Sequence, residues 1–277
     1  MIRAVIYSTV PLAIEGLTAL SQSVGITPVA VITPRAARDS DAEERRNSIL
    51  TEAPARLDVC FAAEKASLLR LTEAFEPDLG LCTGYPWLLP PEVLAVPRLG
   101  VVNSHPSLLP RHRGPFPWAW AVRENDPELG LTVHLMDAQF DTGPILAQGS
   151  RPMPEDVTLE GLIPTVRALS QELLPKALRR VLDGDRGDPQ TEEGATYAGP
   201  FDDDYAELRP SRSRAELLRQ VRAWQLTFHE SHNGPFATVG GTRLHVRDAA
   251  LDDPDDGQAL RLDAADGPLW LTSVDPT

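Results

Sequence analysis

Hydrophobic and polar positions along the chain form an alternating series of strand-like and helix-like segments. Ile2 to Tyr7 is an apolar run typical of a buried strand, Leu12 to Val24 has helical spacing, and Thr27 to Thr33 is a second apolar run. The pattern predicts further strands and helices at 57–62, 65–75, 79–83, 100–104, 131–135, 145–151 and 159–182. This alternation predicts an α/β fold: a mainly parallel, Rossmann-like sheet with helices on both faces.

A polar stretch, DGDRGDPQTEEG, interrupts the pattern and has no periodicity of its own. We therefore predict a catalytic domain over 1–183, a linker over 184–196 and a small C-terminal α+β subdomain over 197–277. In the last region, a helical pattern from Arg214 to Trp224 precedes four short apolar stretches separated by turn residues. They predict a mostly-β, OB-like subdomain.

The amino-acid composition limits the classes of molecule that we expect the protein to bind. The chain carries 26 basic and 40 acidic residues, a net charge of -14, which opposes non-specific attraction to nucleic acid or to an anionic membrane. No apolar stretch approaches the ~18 residues of a membrane span, and the strand-like run that follows Met1 leads us to expect no signal segment. Cys60 and Cys82 each lie in an apolar run, as buried free thiols do. We predict a soluble, cytoplasmic protein.

The segment NSHPSLLPRHRG, residues 103–114, follows the apolar run LGVV and concentrates polar chemistry at a strand end. Asn103 and His105 are two residues apart, so an extended strand directs both side chains to one face. Pro106 disfavours the α region at His105, which favours a position at the carboxyl end of the strand, where α/β sheets bind ligands. The alternative is that both side chains only satisfy the turn that follows.

A second polar element is MDAQFDTGPI, residues 136–145, in which Asp141 begins a turn between two predicted strands. Asp is often only a turn former. Gathered at one strand end, however, Asn103, His105 and Asp141 have the chemistry for acyl transfer to an amine. The histidine is a base near neutral pH, the aspartate stabilises its protonated form, and the asparagine N–H stabilises an oxyanion.

These motifs resemble the formyltransferases that use 10-formyltetrahydrofolate, in which N-x-H-P-S-L-L-P and D-x-G mark the active site. The resemblance covers Met1 to about Val181, and ATYAGPF with VRAWQ resembles the start of the C-terminal domain of methionyl-tRNA formyltransferases. It implies that Asn103, His105 and Asp141 are the catalytic residues and that 10-formyltetrahydrofolate is the formyl donor. An inactive folate-binding homologue is the distant alternative.

The resemblance also implies a pterin pocket built largely from backbone groups. It falls on two segments, with these residues predicted to bind the donor: Trp87, Leu88, Leu89, Asp137, Ala138 and Gln139. For the acceptor substrate we predict Ser8, Arg111 and Arg113, since guanidinium groups bind carboxylates or phosphates. No metal site is predicted, because His229 and His232 lack a third ligand apart from the distant His245.

The acceptor is predicted from charge. The segment after the second strand, TPRAARDSDAEERRNS, has four arginines and four acidic residues, and Tyr197 to Thr277 carries 8 basic against 14 acidic residues. Because tRNA binding requires neutralised phosphates, we expect nucleic acid to be an unlikely partner. We predict a small-molecule amine acceptor, a hydroxyornithine-type amino acid or an amino sugar, in siderophore, natural-product or cell-surface metabolism. The alternative is a methionyl-tRNA formyltransferase; the oligomeric state is not predicted.

Overall fold

A computed structural model describes residues 1–35, 47–227, 234–255 and 257–276. Seven strands form one sheet in the order β3-β2-β1-β4-β5-β6-β7. Their bounds are β1 Ile2–Tyr7, β2 Ile26–Pro34, β3 Asp58–Ala62, β4 Leu79–Cys82, β5 Val101–His105, β6 Glu128–Leu135 and β7 Ile145–Pro152. The pairs β1–β2, β2–β3, β1–β4 and β4–β5 are parallel, whereas β6 is antiparallel to β5. The predicted mainly parallel α/β sheet is confirmed.

Seven α-helical segments accompany the strands in the described part of the chain. They are α1 Pro11–Gln22, α2 at 47–52, α3 Leu68–Ala74, α4 Pro91–Leu94, α5 Pro117–Arg123, α6 Leu159–Leu182 and α7 Arg214–Gln225. Helix α6 continues through both Pro164 and Pro175. Helix α7 starts at a capping box, in which the Ser213 hydroxyl accepts from the backbone N–H of Glu216 and the Glu216 carboxylate accepts from that of Ser213.

The sheet is buried on both faces, as the alternation of side chains along β1 shows. Ala4 and Ile6 pack with residues of α1 and α6 on one face, and Val5 and Tyr7 pack with residues of α3 and α4 on the other. Successive residues of a strand point to opposite faces, so two separate apolar layers follow from one continuous apolar run. Polar side chains are therefore expected mainly at the ends of the strands.

The C-terminal region contains an antiparallel sheet in the order β10-β11-β9-β8. Its strands are β8 Phe236–Val239, β9 Thr242–Ala250, β10 Leu260–Ala264 and β11 Gly267–Pro276. Helix α7 packs Leu217 and Val221 against this sheet. The predicted small, mainly-β C-terminal region is therefore confirmed.

The chain divides into two compact units. The first comprises 1–113, 130–150 and 166–196, and the second comprises 114–129, 151–165 and 197–277. The segment predicted as a linker, 184–196, belongs to the first unit, and the second takes two short segments from the predicted catalytic domain. Within the described residues, no helix has the length and apolar character needed to cross a bilayer.

Candidate active site

The end of β5 carries both polar residues predicted from the N-x-H motif. Asn103 and His105 are buried, with 9% and 4% of their surfaces exposed. Strand β6 pairs with β5 so that Asn103 lies opposite His134, and His105 lies opposite Thr132. Because the two strands are antiparallel neighbours, residues of β6 stand directly beside the polar end of β5.

His105 lies between two hydrogen-bond acceptors. Its Nε2 lies 2.8 Å from the carbonyl oxygen of His112, and its Nδ1 lies 3.5 Å from Oδ1 of Asp141. A carbonyl oxygen only accepts, so Nε2 carries the proton, and the lone pair of the neutral ring is on Nδ1. The Asp141 carboxylate faces that lone pair and favours a proton there.

Burial lowers the pKa of His105 below its ordinary value. Asp141 and the His112 carbonyl raise that pKa, and the neighbouring His134 and His112 rings lower it, but loss of solvation is the largest cause. At neutral pH the ring is therefore uncharged and able to accept a proton. A proton accepted by the ring would then lie between Nδ1 of His105 and the Asp141 carboxylate.

Asn103 and His134 complete the cluster. The His134 Nδ1 donates to the carbonyl of Leu135 at 2.9 Å, so its Nε2 is an acceptor. Asn103 Nδ2 lies 3.1 Å from that Nε2 and 3.2 Å from Asp141 Oδ1, and it donates to both. Two acceptors thus fix which end of the amide faces the cluster. His134 was missed in the sequence, although a histidine in the apolar run LTVHL was a visible signal.

The turn that carries Asp141 is strongly constrained. Asp141 has φ +56°, in the left-handed region that non-glycine residues seldom adopt. The Asp137 carboxylate accepts from the Thr142 hydroxyl at 2.7 Å and from the Gln139 N–H at 3.1 Å. A Cβ at Gly143 would collide with the carbonyl of Leu135, so only glycine fits there. Asp137 was predicted to bind the donor; in the structure its side chain holds the turn.

The loop predicted to hold the pterin follows β4. Leu89 is fully buried in the core, so its side chain serves packing, whereas Leu88 is half-buried. The half-buried Trp87 ring stands edge-on to Tyr85, with ring centroids 6.2 Å apart. The Tyr85 hydroxyl is buried and has no hydrogen-bond partner among the described residues. Ala138, in the turn segment that precedes Asp141, is exposed.

The residues predicted to bind the acceptor have internal contacts. The Ser8 hydroxyl is buried and accepts from the N–H of Val10 at 3.1 Å, where α1 begins. Arg113 is 8% exposed, and its guanidinium donates to Gln190 and Glu192. The carbonyl of Arg111 accepts from the Ser107 hydroxyl at 2.7 Å. His229 and His232 lie outside the described residues, and no metal-binding group of side chains occurs within them.

An α/β sheet that gathers a neutral buried imidazole, a carboxylate and a carboxamide at one strand end is the arrangement of a group-transfer enzyme. Residues 6–178 match the model of the formyl transferase family. The chain belongs to this family, whose members are enzymes that transfer formyl groups and use 10-formyltetrahydrofolate. The resemblance found in the sequence is confirmed.

Individual relatives refine the comparison. The chain is 35% identical over 259 residues to a methionyl-tRNA formyltransferase of Halorhodospira halophila, covering 88% of this chain and 76% of that protein. It is 41% identical over 175 residues to that of Pseudomonas paraeruginosa, covering 62% of this chain and 56% of the relative. A sugar N-formyltransferase from Shewanella shares the fold, with a TM-score of 0.63 at 21% identity, covering 91% of this chain and all of that structure.

The prediction of a small-molecule acceptor in siderophore, natural-product or cell-surface metabolism is wrong, and so is the expectation that nucleic acid is an unlikely partner. Relatives at 35–41% identity are methionyl-tRNA formyltransferases. The physical error lies in using net charge, because a phosphate backbone senses local potential within roughly a Debye length, about 8 Å at physiological salt. The neutral segment used in that argument includes residues 36–46, which lie outside the described residues.

Proposed function

We propose that this protein is a methionyl-tRNA formyltransferase, which moves the formyl group of 10-formyltetrahydrofolate to the amino group of methionine carried on tRNA. The observation that carries the proposal is the buried contact of His105 with Asp141 at the end of β5. Its position within a formyl transferase domain supports the reaction. The named relatives support the acceptor.

In this proposal His105 is the general base. An attacking amine must lose a proton, and the lone pair on Nδ1 of the neutral ring accepts it. The imidazolium that forms is stabilised by Asp141 at Nδ1 and by the His112 carbonyl at Nε2. As the bond between the formyl carbon and the tetrahydrofolate nitrogen breaks, the imidazolium would give this proton to that nitrogen, and tetrahydrofolate would leave neutral. The lowered pKa of His105 ensures that the ring begins the reaction unprotonated at neutral pH.

Asn103 is proposed to stabilise the developing negative charge on the formyl oxygen. Its Nδ2 donates to His134 and Asp141, so one N–H must turn from these acceptors to that oxygen. His134 keeps the amide correctly oriented, because its Nε2 can only accept while Nδ1 donates to Leu135. In the proposed reaction, His105 therefore accepts the proton of the amine, and Asn103 stabilises the negative charge on the formyl oxygen.

The residues of the loop after β4 fit the formyl donor, which supplies an activated formyl group when bound. The half-buried Trp87 ring, with Tyr85 edge-on beside it, offers aromatic surface for a flat heterocycle. Leu89 anchors this loop in the core. We propose that the backbone of 87–89 and of 137–139 forms the donor pocket.

The test uses the purified chain with 10-formyltetrahydrofolate and methionyl-tRNA at 50 and 200 mM salt. We expect formylmethionine on the tRNA, with kcat/KM falling as salt rises; two neutralised phosphates already predict a loss of about tenfold. Methionine methyl ester is the matched control, because it carries the same amine and no phosphates. Efficient formylation of a small amine without formylation of methionyl-tRNA would overturn the proposal.

A further inference from the structure

The segment 188–196, here called the strap, runs along the candidate active site within the first unit. Asp188 exchanges backbone hydrogen bonds with Ile145 at 2.8 and 2.9 Å, at the start of β7. At the other end, the Thr196 hydroxyl accepts from the N–H of His112 at 2.8 Å, and the Thr196 carbonyl accepts from the N–H of Arg113 at 3.0 Å. The strap thus contacts the segments that carry both acceptors of His105.

Gln190 lies in the middle of the strap and contacts the Asp141 turn directly. Its Nε2 donates to the carbonyl of Asp141 and to the carbonyl of Gly143, both at 2.8 Å. These two carbonyls flank Thr142 in the D-T-G motif. Both hydrogens of one side-chain amide therefore hold the backbone on either side of the turn.

Arg113 fixes the other end of the Gln190 amide. Its Nε and Nη2 donate to Gln190 Oε1 at 3.2 and 3.0 Å, and Nη1 and Nη2 donate to the Glu192 carboxylate at 3.2 and 3.1 Å. Because the guanidinium only donates, it requires the amide oxygen to face it, which directs Nε2 to the turn. Arg113 is almost fully buried, whereas the Glu192 side chain is 81% exposed. Gln190 is thus held by a buried neighbour.

The turn needs such support. Asp141 is in the left-handed backbone region, and conformations of that kind persist only where surrounding contacts fix them. The backbone cannot relax toward Leu135, because Gly143 is already packed against that carbonyl. Gln190 adds hydrogen bonds to the carbonyls on either side of Thr142. The distance between Asp141 Oδ1 and His105 Nδ1, 3.5 Å, depends on this turn.

We propose that Gln190 is a positioning residue for formyl transfer: its amide, oriented by Arg113, holds the Asp141 turn so that the carboxylate faces His105 and Asn103. The inference rests on the proposed catalytic role of Asp141, but not on the identity of the acceptor. It gives the segment predicted as a linker a part in the active site. Gln190 itself touches no reacting atom.

The test compares Gln190→Ala and Gln190→Met with the wild-type chain in steady-state formyl transfer across pH. We expect kcat to fall about 10- to 100-fold with little change in KM, since a shift of about 1 Å in a catalytic group can cost roughly 10² in rate. His105 is faced by Asp141, His112 and His134. As the Asp141 carboxylate moves away, the acidic limb of the pH profile should shift to lower pH. A merely structural role would leave that limb in place.

Two further variants separate the contacts. Gln190→Glu can still accept from Arg113 but cannot donate to the two carbonyls, so it should lose activity as Gln190→Ala does. Glu192→Gln leaves the Gln190 contacts intact, and we expect wild-type turnover. Wild-type kcat and an unshifted acidic limb in Gln190→Met, or wild-type kcat in Gln190→Glu, would overturn the inference. An inactive wild-type chain would instead overturn the proposed function.

Discussion

Two regions of the molecule hold a side chain that can carry positive charge, fully buried in one and half-buried in the other, and their surroundings are opposite in kind. In the first unit, His105 lies between a carboxylate and a carbonyl, and burial keeps its ring neutral. In the second unit, Arg123 lies over three aromatic rings, with its guanidinium carbon 4.5 Å from the Trp120 centroid, 5.3 Å from that of Phe201 and 4.2 Å from that of Tyr205.

The difference shows what each environment is suited to do. A guanidinium keeps its charge under all physiological conditions, so aromatic faces can only stabilise it. An imidazole changes its charge near neutral pH, so polar acceptors around it prepare a proton transfer. The Arg123 cluster is expected to contribute to stability, and the His105 cluster to rate. The same substitution in the two regions should therefore affect different measurements.

The largest effect is expected from His105→Ala. Removal of a general base lowers turnover by about 10²–10⁴-fold, and we expect a loss of kcat in that range in the formyl-transfer assay. The far-UV circular dichroism spectrum should stay that of the wild type. If His105→Ala retained turnover within a factor of two of wild type, His105 would not be the general base. The proposed difference between the His105 and Arg123 clusters would then be wrong.

Asp141→Asn should have the next largest effect, lowering kcat by about 10–100-fold through the placement and charge of His105. Asp141 raises the pKa of His105, so its neutralisation lowers that pKa further. The acidic limb of kcat/KM, already below the ordinary histidine value of about 6.5, should move to still lower pH. A variant that loses stability but keeps wild-type kcat and pH profile would identify Asp141 as a turn former only.

Arg123→Ala should have the smallest effect on turnover and a clear effect on stability. Loss of the contacts with Trp120, Tyr205 and Phe201 is expected to lower the free energy of unfolding by about 1–3 kcal/mol. Chemical denaturation followed by tryptophan fluorescence measures this change, with Arg123→Lys as the matched control that keeps the charge but loses the planar stack. An unchanged denaturation midpoint in Arg123→Ala would show that the contacts of Arg123 with these rings do not stabilise the fold.

The fold was largely predictable because burial on both faces leaves a simple pattern. β1 was predicted with the observed bounds, and so was α6, although it contains two prolines. The short helix Pro117–Arg123 was not predicted, since seven residues give little periodicity. The antiparallel direction of β6 was not foreseen either, because the local apolar pattern is the same for both directions.

The site was predictable only where one strand or one motif carried it. Asn103 and His105 share a strand face, and the contact of Asp141 with them matches the expected geometry. His134 reaches the cluster through pairing of β5 with β6, and Gln190 reaches it from a segment without periodicity. Contacts across the sheet and from irregular segments leave no local pattern. The acceptor substrate was predicted wrongly because the net charge of the chain does not report the local charge of the surface that a partner contacts.

The strap has a consequence for partial unfolding. It contains few apolar groups, and residues 191–194 are exposed, so its detachment uncovers little hydrophobic surface. Segments of this kind open at a small fraction of the global free energy of unfolding, and they exchange their amide hydrogens early. The chain can therefore lose the contacts around Asp141 while its sheet remains intact. Mild warming or a protease acting at 191–194 would leave a folded protein without a fixed carboxylate beside His105.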